Sequence, residues 1–290
     1  MKLEPFKLKE GDSRPSLFML EPWVREWNGI SAGFTGRHGG AGSAPYDTLN
    51  TAFHVEDQPE TVVANRLKVA EELGFTLDDW TCGEQVHRAD IAVVTNEGRG
   101  RGSRNRESGF QNTDGLLTNV PGVLLTSFYA DCVPLYFYDP VHQAVGLAHA
   151  GWKGTVARIA VAMVEKMGQA YGSRPEEIRA AIGPSIGSCC YEVDDKVMGH
   201  VHDLASHFLG NEKYSPADFY VAKPDGKSML NLKELNRQIM MKAGILPTHI
   251  ECTSWCTSCR NDLFFSYRKD GGTTGRMASW IGLREGVNLL

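Results

Sequence analysis

Residues 123–154 read VLLTSFYADCVPLYFYDPVHQAVGLAHAGWKG. Three apolar runs, residues 123–129, 133–138 and 144–149, are parted only by Ala130-Asp131-Cys132 and by a turn at Asp139-Pro140. Each run is short, rich in β-branched and aromatic residues and bounded by turn formers, so each is expected to be a strand. The runs are continuous rather than alternating, so their sheet should be covered on both faces. Beyond them Val156, Ile159, Ala160, Met163, Val164 and Met167 recur at i, i+3, i+4, i+7, i+8 and i+11. That is one face of an α-helix, with Gly168 as its expected end. Hairpin-linked strands mixed with helices give an α+β, or mixed α/β, class.

Outward from this stretch, residues 58–73 form a second expected helix. Asp57 and Glu60 make a capping-box-like pair, Pro59 lies in the first turn, Val63, Leu67 and Ala70 supply an apolar stripe, and Gly74 follows. Residues 80–94 read as extended, and residues 178–182 as a short strand. Asn231 with Glu234 opens a third helix, with Leu232, Leu235 and Ile239 on one face. Residues 97–114 hold Gly98, Gly100, Gly102 and Gly109 with Arg99, Arg101, Arg104 and Arg106. That composition predicts a mobile surface loop, or a lid whose arginines meet an anion.

At roughly ~150 residues per domain the 290-residue length allows two domains. No composition shift marks a boundary, so residues 30–290 are read as one domain. Residues 1–29 are read as a lead segment packed on or preceding it. A hydrophobic fraction of 42% and a net charge of −5 exclude a disordered chain, a collagen and a coiled coil, and argue against a duplex-DNA coat. No run reaches the ~18 apolar residues of a membrane span, and the charged N-terminus lacks a signal-like apolar core. Seven cysteines are too few for a disulfide scaffold and odd in number, which points to a reducing cytoplasm. Cys252, Cys256 and Cys259 have the Cys-X3-Cys-X2-Cys spacing of some iron–sulfur sites. They lie too near the C-terminal end for a barrel to follow, and ordinary thiols are expected, with a zinc clip as the lesser alternative. The adjacent Cys189-Cys190 pair is expected to be packing.

Three segments carry the chemistry: Cys82-Gly-Glu-Gln-Val-His87, Tyr129-Ala-Asp-Cys-Val-Pro134 and His149-Ala-Gly-Trp-Lys-Gly-Thr155. Each lies at or near a strand end, where catalytic groups collect. Cys132 and His149 suit a nucleophile–base pair. With His87 they also suit a metal site of two imidazoles and a thiolate, with a fourth position open. A Cys in an apolar strand is also commonly no more than a small hydrophobe.

In combination, Gln85-Val86-His87, Ala130-Asp131-Cys132-Val133-Pro134 and His149-Ala150-Gly151-Trp152-Lys153-Gly154 resemble the signature of the YfiH/laccase-domain family, also called polyphenol-oxidase-like. Further matching pieces are Phe34-Thr-Gly-Arg-His-Gly-Gly40, Leu49-Asn50, Asn65-Arg66, Thr113-Asp114-Gly115, Gly183-Pro-Ser-Ile186, Tyr191-Glu-Val193, Phe265-Ser-Tyr-Arg268 and Thr274-Gly-Arg276. The resemblance spans roughly residues 30–285. It implies layered mixed sheets with outer helices, a core shared with the catalytic domain of cytotoxic necrotizing factors, and zinc ligands at His87, Cys132 and His149. It also implies phosphorolysis of adenosine, inosine and methylthioadenosine, with adenosine deamination. Copper-oxidase chemistry, the family's older label, would need His-X-His pairs, and this chain has only His200-Val201-His202.

On that footing zinc would activate a water for deamination, with Asp131 or Glu84 as proton carrier. Arg37 and the amides of residues 151–154 would clamp phosphate. Asn50, Gln85, Asp114, Gly151 and Trp152 would contact sugar or base. The expected partners are purine nucleosides and phosphate, with no nucleic acid and no membrane, and a monomer is the default. The alternatives are a Cys–His hydrolase or deamidase using Cys132 and His149, a copper-dependent polyphenol oxidase, and a binding module that grips RNA through the arginine loop.

Overall fold

A computed structural model describes residues 3–9, 15–210 and 219–286. In chain order its first elements are β1 (Phe6–Leu8), β2 (Leu17–Leu20), α1 (Glu21–Glu26), β3 (Ile30–Thr35), α2 (Pro59–Leu73), β4 (Trp80–Cys82), β5 (Ile91–Val93) and β6 (Gly115–Thr118). Then come β7 (Leu124–Tyr129), β8 (Val133–Asp139), β9 (Ala144–Ala150), α3 (Trp152–Val156), α4 (Ile159–Tyr171), β10 (Arg179–Ile182) and β11 (Glu192–Val193). The last are α5 (Asp195–Leu204), β12 (Tyr220–Ala222), β13 (Ser228–Leu230), α6 (Leu232–Lys242), β14 (Ile250–Cys252) and β15 (Met277–Leu283).

Two six-stranded mixed sheets dominate, ordered β1-β2-β3-β15-β7-β4 and β14-β10-β8-β9-β6-β5. The continuous apolar runs are covered on both faces, as their pattern requires. Along β8, Tyr136 and Tyr138 join Phe34, Leu125, Tyr129 and Ile281 of the first sheet in a core between the sheets. Leu135 and Phe137 point the other way, to Met163, Met167, Leu235 and Ile239 of α4 and α6. On the far face of the first sheet Trp80, Leu124, Phe128 and Trp280 pack on Val69, Ala70 and Leu73 of α2. The layers therefore run helix, sheet, sheet, helix. Truncating any of the fully buried leucines would cost about 2–5 kcal/mol.

Several boundaries differ from expectation. The segment before residue 30 is built into the first sheet: β1 pairs with β2 and β2 with β3, and Leu17, Phe18 and Trp23 are buried. Helix α2 has Gln58 as N-cap with no side-chain cap. The Asp57 carboxylate takes the Gln58 N–H and the Asn50 side-chain amide instead. The helix after β9 is broken by Arg158 at φ 60° and runs past Gly168 to Tyr171, where Gly172 at φ 77° ends it. The Asn231 cap does form, accepting the Glu234 N–H.

The arginine loop is tied down. Arg99 pairs with Asp79 and Glu285, Arg104 with Asp78 and Arg106 with Glu84. Arg101 lies over the Phe110 ring. Sequence composition hid this because the partners are scattered acids outside the loop.

Candidate active site

Cys132 closes the three-residue link between β7 and β8, and His149 lies near the end of β9, directly across from Pro134. Asp131 in that link has φ 85°, and His87, in the loop after β4, has φ 62°. Such backbone is uncommon for non-glycine residues and must be held by its surroundings. The Asp114 carboxylate does this for His87, accepting the N–H groups of Val86, His87 and Arg88 at 3.1, 2.9 and 2.8 Å. The same carboxylate lies 3.0 Å from Nδ1 of His149. Asp114 therefore orients both histidines, and with Nδ1 of His149 engaged, its Nε2 is the nitrogen left for Cys132.

One donor atom each from His87, Cys132 and His149 lies within 4.8 Å of the others. Burial opposes ionisation of the Cys132 thiol, but the charge of His149 and hydrogen bonds from His149 and His87 outweigh it and bring it down to about 6. Burial likewise opposes charge on His149, and Cys132 with Asp114 raises it to about 9. The pair favours thiolate and imidazolium. A Cβ on Gly151 would come 3.0 Å from Sγ of Cys132 and 3.3 Å from Cδ2 of His87, so a glycine keeps the space beside the donors clear.

These donors border a cavity of about 680 Å³, within the range of small-molecule sites. Its walls include His54, Gln85, Arg106, Phe128, Asp131, Gly151, Trp152, Lys153, Tyr191, Tyr267, Arg268 and Arg276. Four cations thus face one carboxylate. Asp131 accepts from the Thr257 hydroxyl and the Arg268 backbone N–H, both at 2.7 Å. Burial, then Arg276 and Arg106, hold the His54 imidazole down to about 3, so it is neutral.

Some expected site residues do not reach this cavity. Arg37 does not: its guanidinium donates to the carbonyls of Asp47 and Asn261 and lies over Phe265. Asn50 is fully buried and spends its amide on Ala52, Asp57 and the Arg276 backbone N–H. Asp114 acts behind the histidines. Gln85 lines the cavity, but its amide brackets the Phe128 backbone. Glu84 is paired to Arg106 beside a small neighbouring recess. Gly151 and Trp152 do line the cavity, as do the helix-start neighbours of His149.

Sequence reasoning missed His54 and Phe128 as site residues, and it had Tyr191 only as a motif piece. It had Arg268 and Arg276 only as motif pieces without a role, and Lys153 only inside the His149 segment. In the single His-X-His, His200 stacks on Trp152 and His202 packs on Tyr220.

Residues 31–284 match the family model described as multi-copper polyphenol oxidoreductase laccase. The chain belongs to this laccase-like family. A relative from Bacillus subtilis, named purine nucleoside phosphorylase YlmD, is 40% identical over 97% of this chain and 98% of its own length. One from Geobacillus stearothermophilus with the same name is 44% identical over 93% and 98%. The crystal structure of YlmD from Geobacillus stearothermophilus superposes with a TM-score of 0.90 at 41% identity, covering 98% of this chain and all of that one. The structure of the Bacillus licheniformis hypothetical protein YfiH gives 0.87 at 43% identity, over 96% and 99%. The layered mixed α/β fold and the family expected from the motifs are therefore correct.

Proposed function

We propose that the chain is a purine nucleoside enzyme. It phosphorolyses adenosine, inosine and methylthioadenosine to the free base and ribose 1-phosphate or methylthioribose 1-phosphate, and it deaminates adenosine. One observation carries this reading: a single cavity is bordered by a Cys–His–His donor set and by Arg106, Lys153, Arg268 and Arg276. The names of the relatives support the phosphorolysis of purine nucleosides.

In phosphorolysis a phosphate oxygen bonds to C1′ as the bond from C1′ to the base nitrogen breaks. The base leaves with the bonding pair and takes up a proton. The four cations offset the charge of the incoming phosphate. Arg276 suits this role: its guanidinium donates to the carbonyls of Thr274 and Gly275, and no ion pair to it is formed among the described residues. Phe128 and Tyr191 offer aromatic faces to the purine. Neutral His54 can hydrogen-bond sugar or base without adding charge. Asp131, fixed on the wall, is the proposed proton carrier for deamination.

His87, Cys132 and His149 would hold a zinc ion: two imidazoles and a thiolate with one side open to the cavity fit a catalytic zinc site. When bound, zinc supplies Lewis-acid chemistry and water activation. The same donors also suit copper, so the metal is to be identified by elemental analysis. A second reading, a Cys–His hydrolase or deamidase, rests on the thiolate–imidazolium pair at Cys132 and His149. The seven unpaired cysteines are in keeping with a cytoplasmic enzyme, and among the described residues no helix is long and apolar enough to cross a membrane.

The test is product analysis on purified protein. Inosine is expected to yield hypoxanthine only when phosphate is present, and adenosine to yield inosine, with deamination lost on chelation. Base release that ignores phosphate would overturn phosphorolysis. Deamination that survives complete metal removal would favour the Cys–His reading.

A further inference from the structure

Four of the seven cysteines meet away from the cavity. Cys189 and Cys190 follow β10, and Cys256 and Cys259 follow β14. Sγ of Cys189 and of Cys190 lie 3.3 and 3.4 Å from Sγ of Cys259, and all four sulfurs lie within 4.8 Å of one another. Cys252, which completed the Cys-X3-Cys-X2-Cys spacing, is outside this group. We propose that Cys189, Cys190, Cys256 and Cys259 form a second metal site, a tetrathiolate that takes one zinc ion and staples two loops together.

Zinc–sulfur bonds of ~2.3 Å in a tetrahedron place the sulfurs about 3.8 Å apart, the scale of this cluster. An iron–sulfur cluster must fit its own iron and sulfide atoms between the thiolates, and four sulfurs this close leave no room for them. A disulfide joins two sulfurs, whereas here Cys259 is nearly equidistant from two and all four converge. The surroundings of Cys256 favour a thiolate. Cys256 Sγ accepts the backbone N–H groups of Gly187 and Cys259 at 3.1 and 3.5 Å. A Cβ on Gly187 would lie 3.2 Å from Cys189 Sγ and 3.2 Å from Cβ of Cys256, so a glycine leaves the sulfurs space. The partners are 70 residues apart in sequence, and the strands before them, β10 and β14, are parallel neighbours that deliver both loops to one place.

The staple has a mechanical reach into the cavity. Its first loop carries Ile186 and Tyr191, and its second leads to Tyr267 and Arg268, all cavity-lining. Thr257, between the two cysteines of the second loop, donates to Asp131, and Arg268 donates to the carbonyl of Cys190. A bound ion would fix the spacing of these walls.

Full-length protein is loaded with zinc and metal per chain is counted in wild type, Cys132→Ala and Cys256→Ser/Cys259→Ser. Two ions are expected in wild type and one in each variant. Cobalt added alone to Cys132→Ala should give the intense visible bands of a tetrahedral thiolate complex, a readout that does not depend on the serine variant folding. Absence of those bands, an iron–sulfur spectrum, or a disulfide among these cysteines in zinc-loaded protein would overturn the staple. One ion in wild type, lost in Cys132→Ala, would also overturn it while leaving the nucleoside reading intact. One ion kept in Cys132→Ala and lost in the serine variant would support the staple and remove the zinc from the active site.

Discussion

His87, Cys132 and His149 border a substrate-sized cavity, whereas none of Cys189, Cys190, Cys256 and Cys259 lines it. The first group has three donors, a buried carboxylate behind two of them, and one side left open. The second has four donors and closes on itself between two loops. Three protein donors with an open position suit chemistry, and four with none suit architecture. The contrast also explains the supporting atoms. Asp114 aims the His149 imidazole, which must present one particular nitrogen, and holds the backbone of His87. Backbone N–H groups at Cys256 stabilise sulfur charge, which needs no aiming.

The largest expected effect separates the two centres by activity. Cys132→Ala is expected to lower nucleoside turnover by about 10²–10⁴-fold, as loss of a group acting in the transition state typically does, with the thermal midpoint little changed. Cys256→Ser/Cys259→Ser should do the reverse, lowering the midpoint and raising protease sensitivity while most turnover survives. Calorimetry and steady-state kinetics on the same preparations check both. If Cys132→Ala unfolds the chain, or the serine pair abolishes kcat at full stability, the division between chemistry and architecture fails. A smaller effect is expected for Asp114→Asn. The amide oxygen can still accept backbone N–H bonds, but the charge facing His149 is gone. Loss of such a supporting partner costs about 10–100-fold in metal affinity or activity. Metal titration against a competing chelator measures it, and an unchanged affinity would mean that Asp114 only shapes the loop.

The two centres were not equally legible in the sequence. The strands β7, β8 and β9 were readable because their side chains are buried on both faces, which leaves an unbroken apolar signal. Cys132 and His149 were readable because they sit at the ends of those strands. β1 and β2 gave no such signal: β1 is a three-residue edge strand with exposed Lys7 and Leu8. The cavity-lining arginines, Arg106, Arg268 and Arg276, come from separate stretches of the chain, and only the fold brings them to one cavity. Arg37 misled because a glycine-rich loop with an arginine looks like an anion clamp, yet nearby carbonyls satisfy it. That the two cysteine groups meet could not be read, for the same reason as with the arginines. The two halves of the sulfur cluster are joined by the parallel pairing of β10 with β14, and a spacing rule read within one half grouped Cys252 with Cys256 and Cys259, whereas the fold gathers Cys256 and Cys259 with Cys189 and Cys190.

The finest distinction comes from adding one methyl group to each centre. Gly151 has φ −65° and ψ 173°, a conformation alanine adopts freely, so Gly151→Ala tests contact rather than backbone strain. Its Cβ would press on Cys132 and His87 at the open side. Gly187→Ala would press on Cys189 and Cys256 at nearly the same distances. Overpacking of this kind costs about 1–3 kcal/mol, or roughly 2–4 °C of melting temperature per kcal/mol in chains of some 150–250 residues. The cost should appear in different observables. Gly151→Ala is expected to lower kcat with a small thermal shift, because the methyl occupies space that metal and substrate use. Gly187→Ala is expected to lower the midpoint of the zinc-loaded protein more than that of the metal-free protein, because the methyl spreads the sulfurs that the ion draws together. Equal shifts with and without zinc would show that Gly187 serves only the loop. A kcat loss as deep as that of Gly151→Ala would show that the staple and the cavity act as one unit.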